Sequence, residues 1–557
     1  MRDYKVYARS GSEGWLRDLL FLLLLFSVPF LASLGRLPLF GPYEGAYAEI
    51  SRAMLERGDL ITTSLDHLNR FGNPPLLFWL NAASLAFFGQ NEFSVRFPTA
   101  LCGLLTLPAV YVIARRLYDR RTALLSAILL GSCTGFALLS RVILTQLPLC
   151  LCLTAALGSF LVAGQRGERS REASGHWYPF YLFCALAVLA GGMVGILLPV
   201  AVILVYLLLA GRWELLPRMR CGSGLLLFLV VAAPWFVAVW LESPESAHLL
   251  SGQGIGRYGA SLAEDRRPFW LVVPLLVVGL LPWSGYILPA LSRAWREQGR
   301  GGGRSGLFLM IWALAILLFF VLSGSRPIPA LLPAFPPLAI LTAHLVKGEL
   351  ERRGRGLRLV TRLQGAVMAL LGVTALAYPL LLRSVQSLAA LLPSWGHALE
   401  RWAEHAPRLS PAACMLVAGL LLLQGVMSLA VSERRTGRAL IVLCLCSFAL
   451  EIIVPRQIMG TIAQAESPRD LVVRAVELAG ADTPIVTLGP LHGVSWYAGR
   501  PVPDAGNRQQ DLAALWRGTA PLLVILEKGE LDALLPSLRP APRILMESGP
   551  RLLISNR

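Results

Sequence analysis

Charged side chains are scarce in this sequence. Asp, Glu, Lys and Arg together make up 15% of its 557 residues, and 55% of the residues are hydrophobic. Soluble globular domains carry about 25% charged residues. This composition excludes a soluble globular enzyme and predicts that most of the chain lies in lipid.

Acidic residues are the scarcer of the two charged classes. Asp and Glu number 34 against 51 Lys and Arg, which gives a net charge of +17. Such an excess could suggest nucleic-acid binding, but the basic residues are concentrated in the gaps between apolar runs, as in the cytoplasmic loops of membrane proteins. We therefore expect no nucleic-acid partner. Carboxylates are almost absent from the apolar runs, apart from Glu451, and this argues against a transporter.

Cysteine is absent from the predicted extramembrane stretches. All nine cysteines lie within apolar runs or at their ends, and no CxxC spacing typical of metal sites occurs. They are Cys102, Cys133, Cys150, Cys152, Cys184, Cys221, Cys414, Cys444 and Cys446. Asp66 with His67 and Glu245 with His248 come from different loops, and a lone interfacial histidine is usually unliganded. We therefore expect no disulfide framework, no metal and no cofactor.

The distribution of basic clusters predicts an all-α polytopic fold with about 13 transmembrane helices. Lys5, Arg9 and Arg17 precede the first apolar run and place the N-terminus in the cytoplasm. Polar loops at 41–94 and 242–268 then fall on the far side of a transmembrane domain that covers residues 1–455. Because the number of spans is odd, the residues after the last span lie on that same side.

Residues 456–557 have the composition of a soluble module. The segment DLVVRAVELAG predicts a helix, PIVTLG and PLLVILEK predict short strands, and RILMES with RLLISN predicts a closing pair of strands. This alternation favours a small α/β domain outside the membrane. The module carries no phosphate loop and no metal spacing, so we expect a structural or docking role.

The stretch from Leu39 to Trp79 is the longest polar interruption near the N-terminus. Gly41-Pro42 is a helix start, Glu44 lies in the first turn where the helix dipole favours a carboxylate, and Gly58 supplies a stop. The apolar positions at helical spacing are Tyr47, Ile50 and Met54. We expect a short amphipathic helix along the membrane surface.

Several stretches resemble the polytopic GT-C glycosyltransferases of the aminoarabinose transferase and protein mannosyltransferase superfamily. They are GPYEGAYAEISRAMLERGDL, FGNPPLLFWL, GQNEFSVRFPTAL and RRLYDRR near the N-terminus, with DRRPFW and LLPW farther along. The specific likeness is to the lipid A 4-amino-4-deoxy-L-arabinose transferase (ArnT) branch. It covers nearly the whole chain, and the N-terminal 120 residues are its specific part.

The resemblance implies an inner-membrane enzyme with periplasmic loops and a periplasmic C-terminal domain. Such enzymes transfer a sugar from undecaprenyl phosphate to a lipid A-like or other periplasmic acceptor. The reaction needs a carboxylate to orient or deprotonate the acceptor and cations to hold the leaving phosphate. The prenyl chain needs an apolar groove.

The resemblance also implies site residues. Glu44 matches the second acid of the family pair and is the candidate catalytic base. The candidate substrate-binding residues are Tyr47, Arg52, Asn73, Arg141, Arg257 and Arg326, of which Arg257 and Arg326 are the best phosphate contacts. Each has a structural alternative. Glu44 suits a helix start, Tyr47 suits a membrane interface, Arg52 can pair with Glu49 on a surface, and Asn73 suits a turn.

Other family site positions carry different residues here. Tyr43 stands where the family has its catalytic aspartate, Ala46 where it has arginine, and Gly72-Asn73 where it has Glu-Lys. The later departures are Thr145 for a second aspartate, Gly191 for lysine, Gly254 for histidine and Ala330 for tyrosine. Polar positions are lost while scaffold positions remain. This pattern raises a second hypothesis, a catalytically inactive relative that binds a lipid-linked sugar or serves as the subunit of a membrane-protein partner.

Overall fold

A computed structural model describes most of the chain. The described residues are 14–63, 74–165, 176–242, 270, 272–298, 303–322, 328–352, 355–391, 409–431, 436–479, 483–489, 491, 493–505, 516–517, 521–534, 538 and 540–557. Helices dominate these residues, as the hydrophobic runs predict.

Within the described residues, the bundle begins with eleven helices. They are α1 (Trp15–Leu31), α2 (Gly41–Arg57), α3 (Leu76–Phe88), α4 (Glu92–Leu117), α5 (Arg120–Gly131), α6 (Thr134–Leu139), α7 (Gln146–Gly164), α8 (Tyr178–Gly191), α9 (Val194–Ala210), α10 (Leu215–Arg218) and α11 (Cys221–Glu242). Local caps fix some of their starts. Asn91 accepts a hydrogen bond from the Ser94 amide before α4, and Asp119 accepts one from the Thr122 amide before α5.

Seven helices follow within the bundle. They are α12 (Val272–Gly279), α13 (Ile287–Glu297), α14 (Gly303–Leu322), α15 (Phe335–Arg352), α16 (Arg355–Leu391), α17 (Pro411–Leu429) and α18 (Thr436–Val454). A 3-10 turn, Ile328–Ala334, precedes α15, and a π-helical turn, Pro455–Met459, continues α18.

Eight helical segments of the described chain are long and apolar enough to cross a membrane. A ninth crossing results if α12 and the Ser284–Glu297 segment, bent by 113°, form one broken span. The multi-pass all-α prediction is confirmed, while the number 13 stays a prediction. Two shorter apolar helices, α8 and α9, have 14 and 17 residues and meet near Gly191. The apolar run over 123–139 is divided between α5 and α6.

Helices α16 and α17 form a hairpin at the edge of the bundle. Only 17% of the residues in the most apolar part of α16 are buried in the protein. In the α15 segment, 89% of the corresponding residues are buried. Gln364 of α16 attaches the hairpin to the bundle, because its Oε1 accepts hydrogen bonds from the Gly285 amide at 2.8 Å and the Ser284 hydroxyl at 3.3 Å. Gln424 of α17 donates to Ser447 of α18 at 3.1 Å. Buried polar side chains therefore attach this lipid-facing hairpin to its neighbours.

Gln364→Leu should lower the free energy of unfolding by about 1–3 kcal/mol, because the Gly285 amide and the Ser284 hydroxyl both lose their acceptor. Thermal unfolding of the protein in detergent measures the change. Thr374→Val on the same helix is the matched control, since the Thr374 hydroxyl bonds only within its own helix, to Leu371. Equal stability of the two variants would contradict the assigned attachment.

The described residues after α18 form four helices and a small sheet. Helices α19 (Gly460–Glu466) and α20 (Arg469–Leu478) precede the sheet. Helices α21 (Val494–Ala498) and α22 (Lys528–Leu534) lie in the connections between its strands. Its strands are β1 (Ile485–Thr487), β2 (Leu523–Glu527), β3 (Arg543–Ser548) and β4 (Arg551–Ser555), in the order β1-β2-β4-β3. β1 is parallel to β2, and the other pairs are antiparallel. The predicted α/β tail is thereby confirmed.

Candidate active site

Helix α2 has the bounds that its sequence predicts, but its surroundings differ from the prediction. It spans Gly41–Arg57, and Gly58 ends it in a left-handed conformation with φ of 67°. Its polar residues Glu49, Ser51 and Arg52 are buried, as are Tyr47, Ile50 and Met54 on the apolar side. Glu49 and Arg52 are buried because α2 lies between the helical bundle and the C-terminal domain, and the position of this helix along the membrane surface stays a prediction.

Glu44 is buried in a hydrogen-bonded ion pair with Arg96 of α4. The carboxylate accepts from Arg96 Nη2 at 2.6 Å and from Nε at 3.0 Å. It also accepts from the backbone amides of Phe40 at 3.2 Å and Ile143 at 3.1 Å. Only 1% of the Glu44 surface is exposed. This carboxylate therefore joins α2 to α4 and to the segment before α7, and its role as a base stays a prediction.

All five donor hydrogens of Arg96 have acceptors. Nη1 donates to the carbonyls of Leu34 at 2.9 Å and Leu37 at 2.6 Å, and Nη2 donates to Pro38 at 2.9 Å. Arg96 consequently holds the connection between α1 and α2 as well as Glu44. Sequence reasoning missed this residue. The available signal was an arginine inside an otherwise apolar run, which requires a buried partner.

Arg52 forms the predicted pair with Glu49, but the pair is buried. Glu49 accepts from Nη2 at 2.6 Å and from Nε at 3.0 Å, while Glu56 and the Gly499 carbonyl accept from Nη1 at 2.9 Å and 3.1 Å. Burial by itself lowers the pKa of the guanidinium, but the hydrogen bonds and negative charges of the two glutamates outweigh it and raise that pKa. Arg52 therefore stays charged and joins α2 to the C-terminal domain.

Arg141 is buried against the end of α1. Its guanidinium donates to the carbonyls of Pro29 and Ala32. These carbonyls lie at the C-terminal end of the helix, where a cation is favourable. The contacts give Arg141 a structural position, and its proposed contact with substrate stays a prediction.

Tyr47 and Tyr43 lie together near the start of α2. Their ring centroids are 6.1 Å apart, and Tyr47 also packs edge-on against Phe78 at 5.5 Å. Tyr43, which the resemblance places at the family's aspartate position, is 61% exposed. Ala330 is buried, and Thr145 directly precedes α7. A Cβ atom at Gly191 would lie 2.7 Å from Cδ2 of Leu149, so a side chain there would require Leu149 to move.

The remaining predicted site residues lie outside the described residues. They are Asn73, Arg257 and Arg326, together with the substituted positions Gly72 and Gly254 and the metal candidates Asp66, His67, Glu245 and His248. Among the residues that the structure describes, no group of three or more His, Cys, Asp or Glu side chains could hold a metal.

An apolar cavity of about 430 Å³ lies between the α16–α17 hairpin and α18. Leu371, Val417, Leu421 and Leu450 are among its lining residues. The cavity extends from Gln424, in the interior of the bundle, to Ile458 in the π-helical turn before the C-terminal domain. Such a lining suits a hydrocarbon chain.

Comparison with known proteins gives consistent matches. The family model for dolichyl-phosphate-mannose-protein mannosyltransferase matches residues 34–250. Undecaprenyl phosphate-alpha-4-amino-4-deoxy-L-arabinose arabinosyl transferase of Erwinia tasmaniensis is 33% identical over 58% of this chain and 58% of its own length, so the match spans little more than half of that relative. The protein of the same name from Pseudomonas aeruginosa is 33% identical over 69% of this chain and 72% of its own length.

The fold also matches a solved structure. The crystal structure of ArnT from Cupriavidus metallidurans bound to undecaprenyl phosphate has a TM-score of 0.78 to this chain at 24% identity, and the match covers 98% of both chains. The apo form of that protein has a TM-score of 0.76. The chain is therefore a multi-pass membrane protein with a GT-C fold.

Proposed function

Because the chain belongs to the family of undecaprenyl phosphate-alpha-4-amino-4-deoxy-L-arabinose arabinosyl transferases, we propose that it transfers a sugar from a polyprenyl phosphate to a lipid A-like or other periplasmic acceptor. The 33% identity to the Pseudomonas aeruginosa relative over 69% of this chain carries the proposal. Helix α2 lies inside the region that the family model matches, residues 34–250. The proposed activity therefore concerns the part of the chain that holds the Glu44–Arg96 pair.

We propose that the protein lies in the bacterial inner membrane with a cytoplasmic N-terminus. Residues 1–455 would form the transmembrane domain and residues 456–557 the periplasmic domain. Arg115 and Arg120 pair with Asp18 near the start of α1, which supports a cytoplasmic position for that end of the bundle. The contact of Arg52 with Gly499 supports a position of α2 and the C-terminal domain on one common side.

The cavity beside α18 supports a lipid donor. Ala413 and Gln424, both lining residues, are separated by 11 positions of α17, or about 16 Å at a helical rise of 1.5 Å per residue. A cavity of that length and apolar character accommodates a segment of a prenyl chain. The chain would enter from the membrane between the hairpin and α18, with its phosphate toward the C-terminal domain.

The proposed reaction is a substitution at the anomeric carbon of the sugar. An acceptor oxygen forms the new bond, the bond from the anomeric carbon to the phosphate oxygen breaks, and the bonding electrons leave with the phosphate. We propose that Arg257 and Arg326 stabilise that phosphate, and that Tyr47 and Asn73 border the sugar. Arg52 and Arg141 would shape the site through their buried contacts. The acceptor proton would pass to Glu44, the candidate base.

Arg257→Ala and Arg326→Ala should each lower the rate of sugar transfer about 10- to 100-fold, because each removes a charged contact to the leaving phosphate. Transfer from labelled undecaprenyl-phosphate sugars to membrane lipids measures the change. Arg474→Ala is the matched control, since Arg474 is an exposed arginine paired only with Glu477 in the described part of the chain. Unchanged transfer in both test variants would overturn the assigned phosphate contacts.

Binding without transfer is the second candidate function. One specific observation favours it: four hydrogen bonds occupy the Glu44 carboxylate. An inactive relative would bind undecaprenyl phosphate and transfer no sugar from any member of a donor panel. Transfer by the wild-type protein from any of these donors would exclude this candidate.

A further inference from the structure

Helix α21 of the C-terminal domain contributes to the core around α2. Trp496 is only 4% exposed, and it belongs to the same apolar cluster as Tyr47, Ile50 and Met54 of α2. The tryptophan and the site helix are separated by more than 400 positions in the sequence. The packing of α2 therefore requires a residue from outside the membrane bundle.

Tyr497 and Gly499, which follow Trp496, form hydrogen bonds near the start of α2 and in its later part. The Tyr497 hydroxyl accepts from the Leu39 amide at 2.6 Å, just before α2 begins, and donates to Glu92 at 3.4 Å. The Gly499 carbonyl accepts from Arg52 at 3.1 Å in the later part of α2. Burial raises the pKa of Tyr497, so its hydroxyl stays neutral and keeps its proton for Glu92.

Backbone contact adds to this interface. Gly493 adopts φ of +90°, and a Cβ atom placed on it would be 3.4 Å from the Cα of Gly45 in α2. The Gln90 side chain also donates to the Trp496 carbonyl at 3.5 Å. Since neither glycine carries a side chain, α21 approaches α2 closely, and a displacement of one helix would be transmitted to the other.

The Tyr497 contact is directly adjacent to the ion pair of the site. Arg96 holds the carbonyls of Leu37 and Pro38, and Tyr497 holds the next amide in the chain, that of Leu39. The same arginine binds both oxygens of Glu44. The segment from Leu37 to Leu39 is thereby fixed from the bundle on one side and from the C-terminal domain on the other.

We propose that Trp496 and Tyr497 are positioning residues, and that the C-terminal domain sets the place of α2 at the site for the lipid-linked sugar. The expected effect of these residues on catalysis rests on the proposed transfer function. It assigns the C-terminal domain a part in the reaction although none of its described residues contributes to the chemistry. Tyr47 and Glu44 would be displaced together if the α21 contacts were lost.

Tyr497→Phe tests the proposal in the full-length protein. This variant keeps the ring and removes the hydroxyl, which is both the acceptor of the Leu39 amide and the donor to Glu92. We expect hydrogen exchange of the amides in 39–57 to increase, and kcat for sugar transfer to fall about threefold to tenfold. Trp496→Ala should give the same two changes, and Trp496→Phe should restore part of both, because it retains an aromatic ring in the cluster.

Trp516→Phe is the matched control for the domain itself. Trp516 is fully buried in the C-terminal domain, donates to the Pro540 carbonyl at 2.8 Å and belongs to a different apolar cluster from α2. This variant should lower the thermal stability of the protein and leave exchange in 39–57 unchanged. An equal loss of kcat in Trp516→Phe would show that general domain stability is what matters, and would overturn the proposal.

The two readouts separate this proposal from the proposed function. Unchanged exchange in 39–57 for both Tyr497→Phe and Trp496→Ala would overturn the positioning role, whatever the activity. Increased exchange with unchanged kcat would also overturn it. If the wild-type protein transfers no sugar from the donor panel, the transfer function fails. In that case, binding of undecaprenyl phosphate is measured instead. We expect Tyr497→Phe to bind it more weakly than Trp516→Phe does. Equal binding by the two variants would overturn the positioning role.

Discussion

Arg96→Met is expected to lower the free energy of unfolding by about 3–5 kcal/mol, because it leaves the buried Glu44 carboxylate without its cation. The substitution also removes the donors to the Leu34, Leu37 and Pro38 carbonyls. The connection between α1 and α2 should therefore loosen together with the site. Thermal unfolding in detergent and the yield of folded protein measure the effect.

A double-mutant cycle separates the ion pair from the carbonyl contacts. Glu44→Leu with Arg96→Met removes both charges, so the double variant should be more stable than Arg96→Met alone. It should remain less stable than the wild type, since three carbonyls still lack their donors. Arg474→Met is the control, and this exposed substitution should change stability by about 0.5 kcal/mol or less.

Glu44→Gln decides between the two roles of the carboxylate. If Glu44 mainly holds the fold, this variant loses stability because an amide cannot neutralise Arg96. A variant as stable as the wild type that transfers no sugar would instead establish Glu44 as the catalytic base. Full activity in a folded Glu44→Gln protein would remove the base assignment.

Asp18→Asn should lower the free energy of unfolding by about 3 kcal/mol, at the opposite end of the bundle from α2. The Asp18 carboxylate accepts from Tyr111 at 2.6 Å, from Arg120 Nε at 2.6 Å and from Arg115 at 3.2 Å. It is buried, so these contacts join α1 to α4 and to the start of α5. Thermal unfolding in detergent measures the loss.

Asp119→Asn provides the matched comparison for Asp18. Asp119 caps α5 and pairs with Lys347, but 39% of its side chain is exposed. Asparagine caps helices about as well as aspartate, so this substitution should cost about 1 kcal/mol or less. A loss at Asp119 equal to that at Asp18 would contradict the central position assigned to Asp18.

Local sequence signals predicted the helices and strands of the site region. Gly41-Pro42 and Gly58 mark the two ends of α2, and the apolar strands of the tail form the predicted sheet. These features depend on neighbouring residues, whose capping and turn preferences the sequence displays directly. The break between α5 and α6 was not visible, because the apolar run continues through it.

The surroundings of the site residues depend on contacts between distant parts of the chain. Glu49 and Arg52 have the spacing of a surface pair, but both are buried, and Arg52 bonds to the distant Gly499 carbonyl. Arg141 resembles a substrate contact in the sequence, but it donates to carbonyls at the end of α1. Such tertiary contacts leave no periodic pattern, so sequence reasoning identified the polar residues without their partners.

The bond between Arg52 and Gly499 also has a consequence for biosynthesis. The ribosome must add the residues between these two positions before the bond can form, and at about 5–20 residues per second this takes roughly 20–90 s. During that interval, the nascent helix has already left the ribosome, but Tyr47, Ile50 and Met54 still lack the indole that covers them. Lipid, a chaperone or the translocation machinery must shield this surface until about nine-tenths of the 557 residues have been synthesised.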